Sequence, residues 1–276
     1  MSFSIRLSIF FVSLCLLGSP GLVRAEETAF EPLEYEIELQ PLLEHNDGHF
    51  LWFHPRVAPL PELGRAGKTA AIMTLQKHLH RSDYYSGLSY MTTTDGGTVW
   101  SGTIRPDALG WIKDGDVNVS AADVTPGWHA PTRKVLAVGA EVRYNEQGDQ
   151  LSDVKRAHQT IYSVYDPKTH SWSNLRRITM PEDDKFDFAY SACAQWLTLP
   201  DGTILLPFYF GESDKQPCQF TVARFQFDGE QLEYLEHGTE IRLDVDRGLV
   251  EPSITFFQGR FYLTLRNDQK GYVTTS

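Results

Sequence analysis

The sequence predicts an all-β protein built from repeated sheets, and three observations support this. Runs of β-branched and aromatic residues are short, Gly, Asp, Asn or Pro separates them, and no long stretch shows helical periodicity. The clearest runs are Ala71 to Leu75, Val135 to Val138, Gln159 to Tyr165, Thr203 to Leu206 and Thr221 to Phe227. With 276 residues, 41% of them hydrophobic, the chain is long enough to bury a large core.

A weak internal repeat limits the choice of all-β architecture. Four segments have the same order: a polar or small residue, a strand, a turn and a second apolar strand. They begin near Arg56, His129, Cys193 and Glu251. Units of this length fit the blades of a β-propeller with long insertions. A β-sandwich is the alternative, and the repeat argues against it.

The first 25 residues have the features of a secretory signal peptide. Arg6 gives a positive start, Leu7 to Leu17 form an apolar run too short for a transmembrane helix, and Val23-Arg24-Ala25 resembles a cleavage site. We therefore expect a secreted or periplasmic protein with no membrane insertion. Residues 26–49 are predicted to be an acidic lead-in segment, in which Tyr35 to Leu39 alternates like an edge strand.

Charge and cysteine content limit the partners. The net charge is −11, and loss of the signal peptide would remove two arginines and no acid. Such a surface repels nucleic acid and anionic membranes, so neither is expected as a partner. An anionic small molecule would bind only where arginines are concentrated. Cys193 and Cys218 could form a disulfide in an oxidising compartment or remain as two buried thiols.

The sharpest local motif runs from Thr93 to Trp100. Asp95 can accept backbone N–H bonds across the turn, and the two following glycines allow positive φ. The segment matches the Asp-box pattern Ser/Thr-x-Asp-x-Gly-x-Thr-Trp, with Val99 where Thr is usual. A degenerate version follows from Tyr165 to Trp172. Asp95 is therefore assigned to the frame of the fold and not to a site.

A hairpin near the end of the sequence brings two charged residues together. Ser253 to Phe257 and Phe261 to Leu265 are rich in strand-forming residues, and Gln258-Gly259 supplies a tight turn. Glu251 precedes the first strand and Arg266 follows the second. Because the outer ends of antiparallel strands meet, a carboxylate and a guanidinium are expected at one end of the hairpin. A structural ion pair is the alternative to a functional one.

The Asp-box turn, together with the phrase Glu251-Pro-Ser followed by Gly259-Arg-Phe-Tyr-Leu and Arg266-Asn, resembles the sialidase (neuraminidase) family. The resemblance implies a six-bladed β-propeller, of which residues 50–276 would form about four blades. Gly271 to Ser276 repeats the approach to the Asp-box without its Asp. We therefore expect the sequence to be the N-terminal portion of a longer protein.

The resemblance also implies roles for four residues. Glu251 and Arg266 match the family's Glu and second arginine, and Arg56 in His54-Pro55-Arg56-Val57 is a looser match to its first arginine. Asp83 precedes the Asp-box at about the position of the family's acid/base. In this scheme Arg56 and Arg266 bind the substrate carboxylate, Asp83 transfers protons, and Glu251 activates a Tyr beyond residue 276. The acid/base role requires a pKa raised by partial burial.

The expected function is that of a sialidase-like exo-glycoside hydrolase that removes a terminal sialic acid or a related anionic sugar from glycans. A neutral Tyr suits this reaction because the substrate's own carboxylate would repel an attacking Asp or Glu. No cofactor or metal is expected, since His78 and His80 have no third ligand at useful spacing. Two alternatives remain: a non-catalytic propeller for glycan binding or scaffolding, and an enzyme for another anionic sugar such as a uronate.

Overall fold

The computed structural model describes residues 34–45, 47–80, 83–151, 159–211 and 218–276. The predicted signal peptide, residues 1–25, lies outside them. The chain divides into two units, Met1–Pro41 and Leu42–Ser276, and all the sheets lie in the second. Residues 34–45 contain no helix or strand, so Tyr35 to Leu39 do not form the edge strand that alternation suggested.

The first two sheets are antiparallel and lie next to each other in the chain. Sheet 1 has the order β1-β2-β3, and sheet 2 has the order β4-β5-β6-β7-β8, with β9 also paired to β7. Their strands are β1 Leu51–Leu60, β2 Ala70–His78, β3 Tyr85–Thr93, β4 Ile112–Asp114, β5 Val117–His129, β6 Lys134–Tyr144, β7 Thr160–Asp166, β8 Ser171–Trp172 and β9 Arg176–Arg177. A short 3₁₀ helix, Asp107–Leu109, joins the two sheets.

Two further antiparallel sheets complete the described part of the chain. In sheet 3 the order is β10-β12-β13-β14, with β11 paired to β12 and β15 paired to β13, and in sheet 4 it is β16-β17-β18. Their strands are β10 Phe188–Tyr190, β11 Leu197–Thr198, β12 Ile204–Gly211, β13 Gln219–Phe227, β14 Leu232–His237, β15 Ile241–Arg242, β16 Val250–Phe257, β17 Arg260–Arg266 and β18 Gly271–Thr275. A second 3₁₀ helix, Asp184–Phe186, precedes β10.

The sheets form a four-bladed β-propeller arrangement, which confirms the predicted fold class. Each of the five predicted apolar runs overlaps a strand, and the predicted hairpin is β16 and β17 with Gln258-Gly259 as its turn. Both turn residues have positive φ, as a tight hairpin turn requires. Among the described residues, no helix is long and apolar enough to cross a membrane.

The core lies between neighbouring blades. One cluster joins sheets 1 and 2, a second joins sheets 2 and 3, and a third joins sheets 3 and 4. Each fully buried aromatic or aliphatic side chain contributes roughly 1.5–3 kcal/mol by leaving water. Trp196 packs so closely on Gly127 that a Cβ there would lie 2.3 Å from its ring, so glycine is required where blades 2 and 3 meet.

Blades 1, 2 and 3 line an open cavity of about 530 Å³. Its lining consists of residues 56–59 of β1, 125–128 of β5 and 195–198 around β11. Beside this cavity, one residue in each blade has a left-handed backbone: His54, Asp123, Cys193 and Glu251, with φ of 50°, 55°, 54° and 52°. In β1, β5 and β16 this residue falls at a break in the strand register, as in a β-bulge.

The positions of these residues show that the predicted start of the second repeat, near His129, was wrong. Asp123 occupies the position of Glu251 and Cys193, whereas His129 lies at the far end of β5. The His129 ring is buried and bonded to the Thr132 hydroxyl at 2.8 Å and the Gly202 carbonyl at 2.9 Å. Burial lowers the pKa of His129, and these bonds assign it to the frame.

The turn at Asp95 is held by hydrogen bonds. The Val99 N–H and the Thr93 hydroxyl donate to Asp95 Oδ1 at 3.0 and 2.8 Å. The Val99 bond is the main cause of a lowered Asp95 pKa, because it favours the charged carboxylate. The contacts explain why Asp95 belongs to the turn and not to a site.

Candidate functional site

The left-handed residues of blades 1 and 2 face each other. His54 Nδ1 lies 3.0 Å from Asp123 Oδ1, and only 21% and 25% of the two side chains are exposed. The blades are also joined to blade 3 here, because the Cys193 N–H donates to the Asp123 carbonyl at 3.1 Å. A non-glycine residue in this backbone region costs roughly 1–3 kcal/mol, and such strain is often found at functional sites.

Asp123 has the most perturbed carboxyl of this cluster. Burial raises its pKa, the neighbouring Glu251 carboxylate raises it further, and His54, Cys193 and Arg56 oppose the shift. The groups that act on this carboxyl belong to blades 1, 3 and 4, while Asp123 belongs to blade 2. A carboxyl whose pKa is raised by burial and a neighbouring charge is a general feature of acid/base sites.

Arg56 offers an unused hydrogen-bond donor. It lines the cavity on β1, and its Nε is buried with no hydrogen-bond partner among the described residues. A buried guanidinium N–H without a partner is costly, so a bound acceptor would stabilise it. Arg56 lies close enough to Asp123 and Cys193 to influence both.

Glu251 and Arg266 form the ion pair that the hairpin predicts. Arg266 Nε donates to Glu251 Oε2 and Arg266 Nη2 donates to Oε1, both at 2.5 Å, in a two-pronged geometry. The bonds to Glu251 raise the pKa of Arg266. The third nitrogen, Nη1, donates to Asp268 at 3.3 Å, and Arg247 Nη1 donates to the same carboxylate oxygen at 2.8 Å. All three nitrogens of Arg266 therefore have partners, so a ligand carboxylate must compete for them.

Asp83 lies at the edge of the same group. It follows β2 in a left-handed turn, and its Oδ1 accepts a hydrogen bond from the Tyr85 hydroxyl at 3.0 Å. Burial, aided by the nearby Asp123 and Asp83 carboxyls, raises the pKa of Tyr85, so Tyr85 stays a neutral donor to Asp83. The Asp83 side chain is exposed, and the partial burial expected for an acid/base is not found.

Two further groups near the axis are poor nucleophiles. Burial raises the pKa of the Cys193 thiol to about 12, with the Asp123 carboxylate as the next cause. Tyr209 lies near both Asp123 and Glu251, and burial with these charges raises its pKa well above the usual value. Both groups therefore stay protonated near neutral pH. No disulfide joins Cys193 to Cys218.

The structure thus places Arg56 and Glu251 near Asp123, and Glu251 binds Arg266. Asp83 is bonded to Tyr85, which lies near Asp123. The structure adds His54 and Asp123, which the sequence prediction missed. The available signal was a charged residue, Asp123, directly between Ala121-Ala122 and Val124, because an unpaired charge is rarely placed among buried small apolar residues. In the described part of the chain, no three His, Cys, Asp or Glu side chains are grouped to hold a metal ion.

Comparison with known proteins gives no match to a family model and no match among curated protein sequences. Solved structures do match. The leech intramolecular trans-sialidase superposes with a TM-score of 0.52 at 13% identity, covering 82% of this chain and 49% of that protein. The NanB sialidase of Streptococcus pneumoniae, as its K499G mutant, gives a TM-score of 0.54 at 9% identity, covering 82% of this chain and 50% of that protein.

A third match is the Trypanosoma rangeli sialidase in complex with sialic acid, with a TM-score of 0.50 at 12% identity. The match covers 82% of this chain and 36% of that protein. At these identities the matches show the fold alone, which is a β-propeller like those of the matched sialidases. The chain spans about half or less of the length of these three proteins.

Proposed function

We propose that this chain carries the first part of the site of an exo-glycoside hydrolase that removes a terminal sialic acid, or a related anionic sugar, from glycans outside the cytoplasm. One observation carries the proposal: Arg56 of blade 1 and Glu251 of blade 4 both lie close enough to Asp123 to change its pKa, and Glu251 binds Arg266. Two arginines from distant parts of an acidic chain thus lie near one group of acidic side chains.

The arginines would bind the carboxylate of the substrate. The Nε of Arg56, which has no partner among the described residues, is the donor ready to bind an anion. The planar guanidinium of Arg266 can bind a carboxylate in two-pronged fashion, and it makes this contact with Glu251 in the free protein. In this proposal the substrate carboxylate displaces part of that pair and frees Glu251.

The remaining groups would carry the proton transfers. In this proposal the bound substrate covers the exposed Asp83 carboxyl. Asp83 then donates a proton to the glycosidic oxygen as the bond to the leaving sugar breaks, and it later takes a proton from the attacking water. Glu251 takes the proton of a nucleophilic tyrosine contributed by the rest of the protein. Tyr209 does not suit this role, because burial and the nearby carboxylates hold it as a neutral phenol.

The test is release of 4-methylumbelliferone from its sialoside by the full-length protein that contains this chain. We expect Arg56→Ala and Arg266→Ala to lower kcat/KM by about 100-fold or more, since each removes a charged contact worth several kcal/mol. Arg224→Ala is the matched control, because Arg224 lies on blade 3 and pairs with Asp201 and Glu236. Its activity should stay within about twofold.

Two results would contradict the proposal. One is the absence of turnover by the wild type on any sialoside or uronide. The other is equal activity of the two arginine variants and the control. If the wild type binds glycans without cleaving them, and Arg56→Ala abolishes this binding, the non-catalytic glycan-binding alternative holds.

A second candidate reaction is hydrolysis of an uncharged glycoside by two carboxyl groups. It is favoured because the Glu251 carboxylate lies near Asp123 and the pKa of Asp123 is raised. Two carboxyls held in different protonation states are the usual machinery of glycoside hydrolysis. Asp123 would protonate the leaving oxygen, and Glu251 would act as base or nucleophile. This candidate predicts cleavage of an uncharged aryl glycoside that Asp123→Asn abolishes and Arg56→Ala leaves intact.

A further inference from the structure

An aromatic surface borders the turn that holds Asp83. Trp111 is 39% exposed, and its ring stacks at an angle against Tyr84, with ring centres 5.7 Å apart. Tyr144 lies beneath both, 5.0 Å from Tyr84 and 6.0 Å from Trp111. We call Tyr84 and Trp111 the aromatic shelf. Ile112, 36% exposed, continues it on β4.

Hydrogen bonds fix the shelf to Asp83. Tyr144 donates its hydroxyl proton to the Asp83 carbonyl at 2.7 Å and accepts from the Tyr85 N–H at 3.1 Å. Trp111 Nε1 donates to the Tyr85 carbonyl at 3.0 Å. These bonds attach the shelf to the backbone of Asp83 and Tyr85, and the Asp83 carboxyl is held separately by the Tyr85 hydroxyl.

A turn in blade 2 supports the shelf from below. Gly148 has a φ of +82°, and a Cβ at this position would lie 2.7 Å from the Tyr84 ring. Glycine thus allows both the left-handed turn and the close approach of the ring. An exposed aromatic surface held in place before binding loses little conformational entropy when a ligand covers it.

We propose that the aromatic shelf binds the sugar on the leaving-group side of the scissile bond, a neutral hexose. The inference rests on the proposed function, because it takes Asp83 as the acid. An acid must touch the glycosidic oxygen, so the leaving sugar lies beside Asp83, where the shelf is the adjoining apolar surface. The C–H face of a hexopyranose packs on aromatic rings, and the protein's net charge of −11 disfavours a second anionic sugar.

The experiment compares two substrates of the full-length protein. 3′-Sialyllactose carries a hexose at the leaving position, and methyl sialoside carries only a methyl group. We expect Trp111→Ala to lower kcat/KM for 3′-sialyllactose about tenfold and to leave methyl sialoside within about twofold. Trp111→Phe keeps a ring without the N–H donor, so it should recover most of the loss and show that the ring face is responsible.

Phe257→Ala is the matched control, because Phe257 is a 60% exposed aromatic at the turn end of β16, away from Asp83. It should leave both substrates unchanged. An equal fall for both substrates in Trp111→Ala, or no fall for either, would overturn the proposal.

Direct binding separates the two proposals. Lactose binding by the wild type, measured by saturation-transfer NMR, should disappear in Trp111→Ala and persist in Phe257→Ala. If no sialoside is cleaved but this pattern holds, the shelf stands and the hydrolytic proposal fails. If sialosides are cleaved but Trp111→Ala changes neither lactose binding nor the substrate ratio, the hydrolytic proposal stands and the shelf fails.

Discussion

Two close side-chain pairs, Glu251 with Arg266 and His54 with Asp123, are built differently. Glu251 and Arg266 are fifteen residues apart on one hairpin, and 43% of the arginine side chain is exposed. His54 and Asp123 come from different blades, and both side chains are at least three-quarters covered. The first pair depends on a local turn, whereas the second exists only when two blades pack together.

The two pairs share an unusual backbone. His54, Asp123 and Glu251 all have φ near +50°, so each is turned out of its strand. Asp tolerates this conformation better than most residues because its short side chain can bond locally. The comparison indicates that the β-bulges set the direction of these side chains. Attraction between charges is then a separate contribution to stability.

The largest expected effect is on the free energy of unfolding of variants at position 123. It distinguishes the contribution of the backbone conformation from that of the side-chain charge. Asp123→Val should destabilise the protein by about 2–4 kcal/mol, because a β-branched residue is poorly accommodated at positive φ. Asp123→Asn and Asp123→Gly should cost much less. Urea unfolding of the three variants measures the difference. Equal destabilisation by Val and Asn would mean that the His54 contact, and not the bulge, dominates.

The next largest effect is the change of a coupling free energy with salt concentration. A double-mutant cycle on Glu251 and Arg266 should give a coupling free energy of about 1 kcal/mol at low salt, as for a partly exposed pair. This coupling should fall in 1 M NaCl, where charges are screened over about 3 Å. The same cycle on His54 and Asp123 should respond less, because water and ions reach that pair less easily. The reverse order of salt sensitivity would refute the contrast.

A smaller effect concerns pH. Since the pKa of Asp123 is raised in the folded state, the folded protein binds more protons than the unfolded chain above the ordinary Asp pKa of about 3.9. Stability from this group is therefore greatest at low pH and is lost as pH rises through the folded pKa. Asp123→Asn should flatten this decline in thermal unfolding scans, and Asp268→Asn is the exposed control. A steeper decline in Asp123→Asn would contradict the sign.

The smallest effect is expected at the rim. Arg247 contacts Asp268 at 2.8 Å, but 51% and 49% of these side chains are exposed. Arg247→Ala should change the free energy of unfolding by less than about 0.5 kcal/mol. Chemical denaturation checks this value. A loss above about 1 kcal/mol would show that Asp268 and Arg266 depend on Arg247 for their positions.

Local patterns were sufficient for much of the fold. The β16–β17 hairpin follows from two strand-forming runs and Gln258-Gly259, and the convergence of Glu251 and Arg266 follows from antiparallel geometry. The turn at Asp95 follows from its own residue types. Each of these features depends on contacts within about fifteen residues, so the sequence contains the whole cause.

The centre of the site could not be predicted in the same way. Asp123 lies in a strand whose alternation gives no sign of a bulge, and its partner His54 is in another blade. His129 has a more conspicuous sequence context, yet it is buried against Gly202. Asp83 had the expected position relative to the turn at Asp95, but its exposure depends on how its own turn packs on Tyr144.

The amino-acid sequence by itself determined the all-β class, the strands, their turns and the pairing of Glu251 with Arg266, because these depend on short-range propensity and strand geometry. Tertiary structure alone decided that His54 faces Asp123, that a buried donor of Arg56 finds no partner in the described part of the chain, and that Trp111 bonds to the backbone of Tyr85. The reason is physical: these contacts arise where separate blades pack, and no local pattern records which residue of one blade will meet which residue of the next.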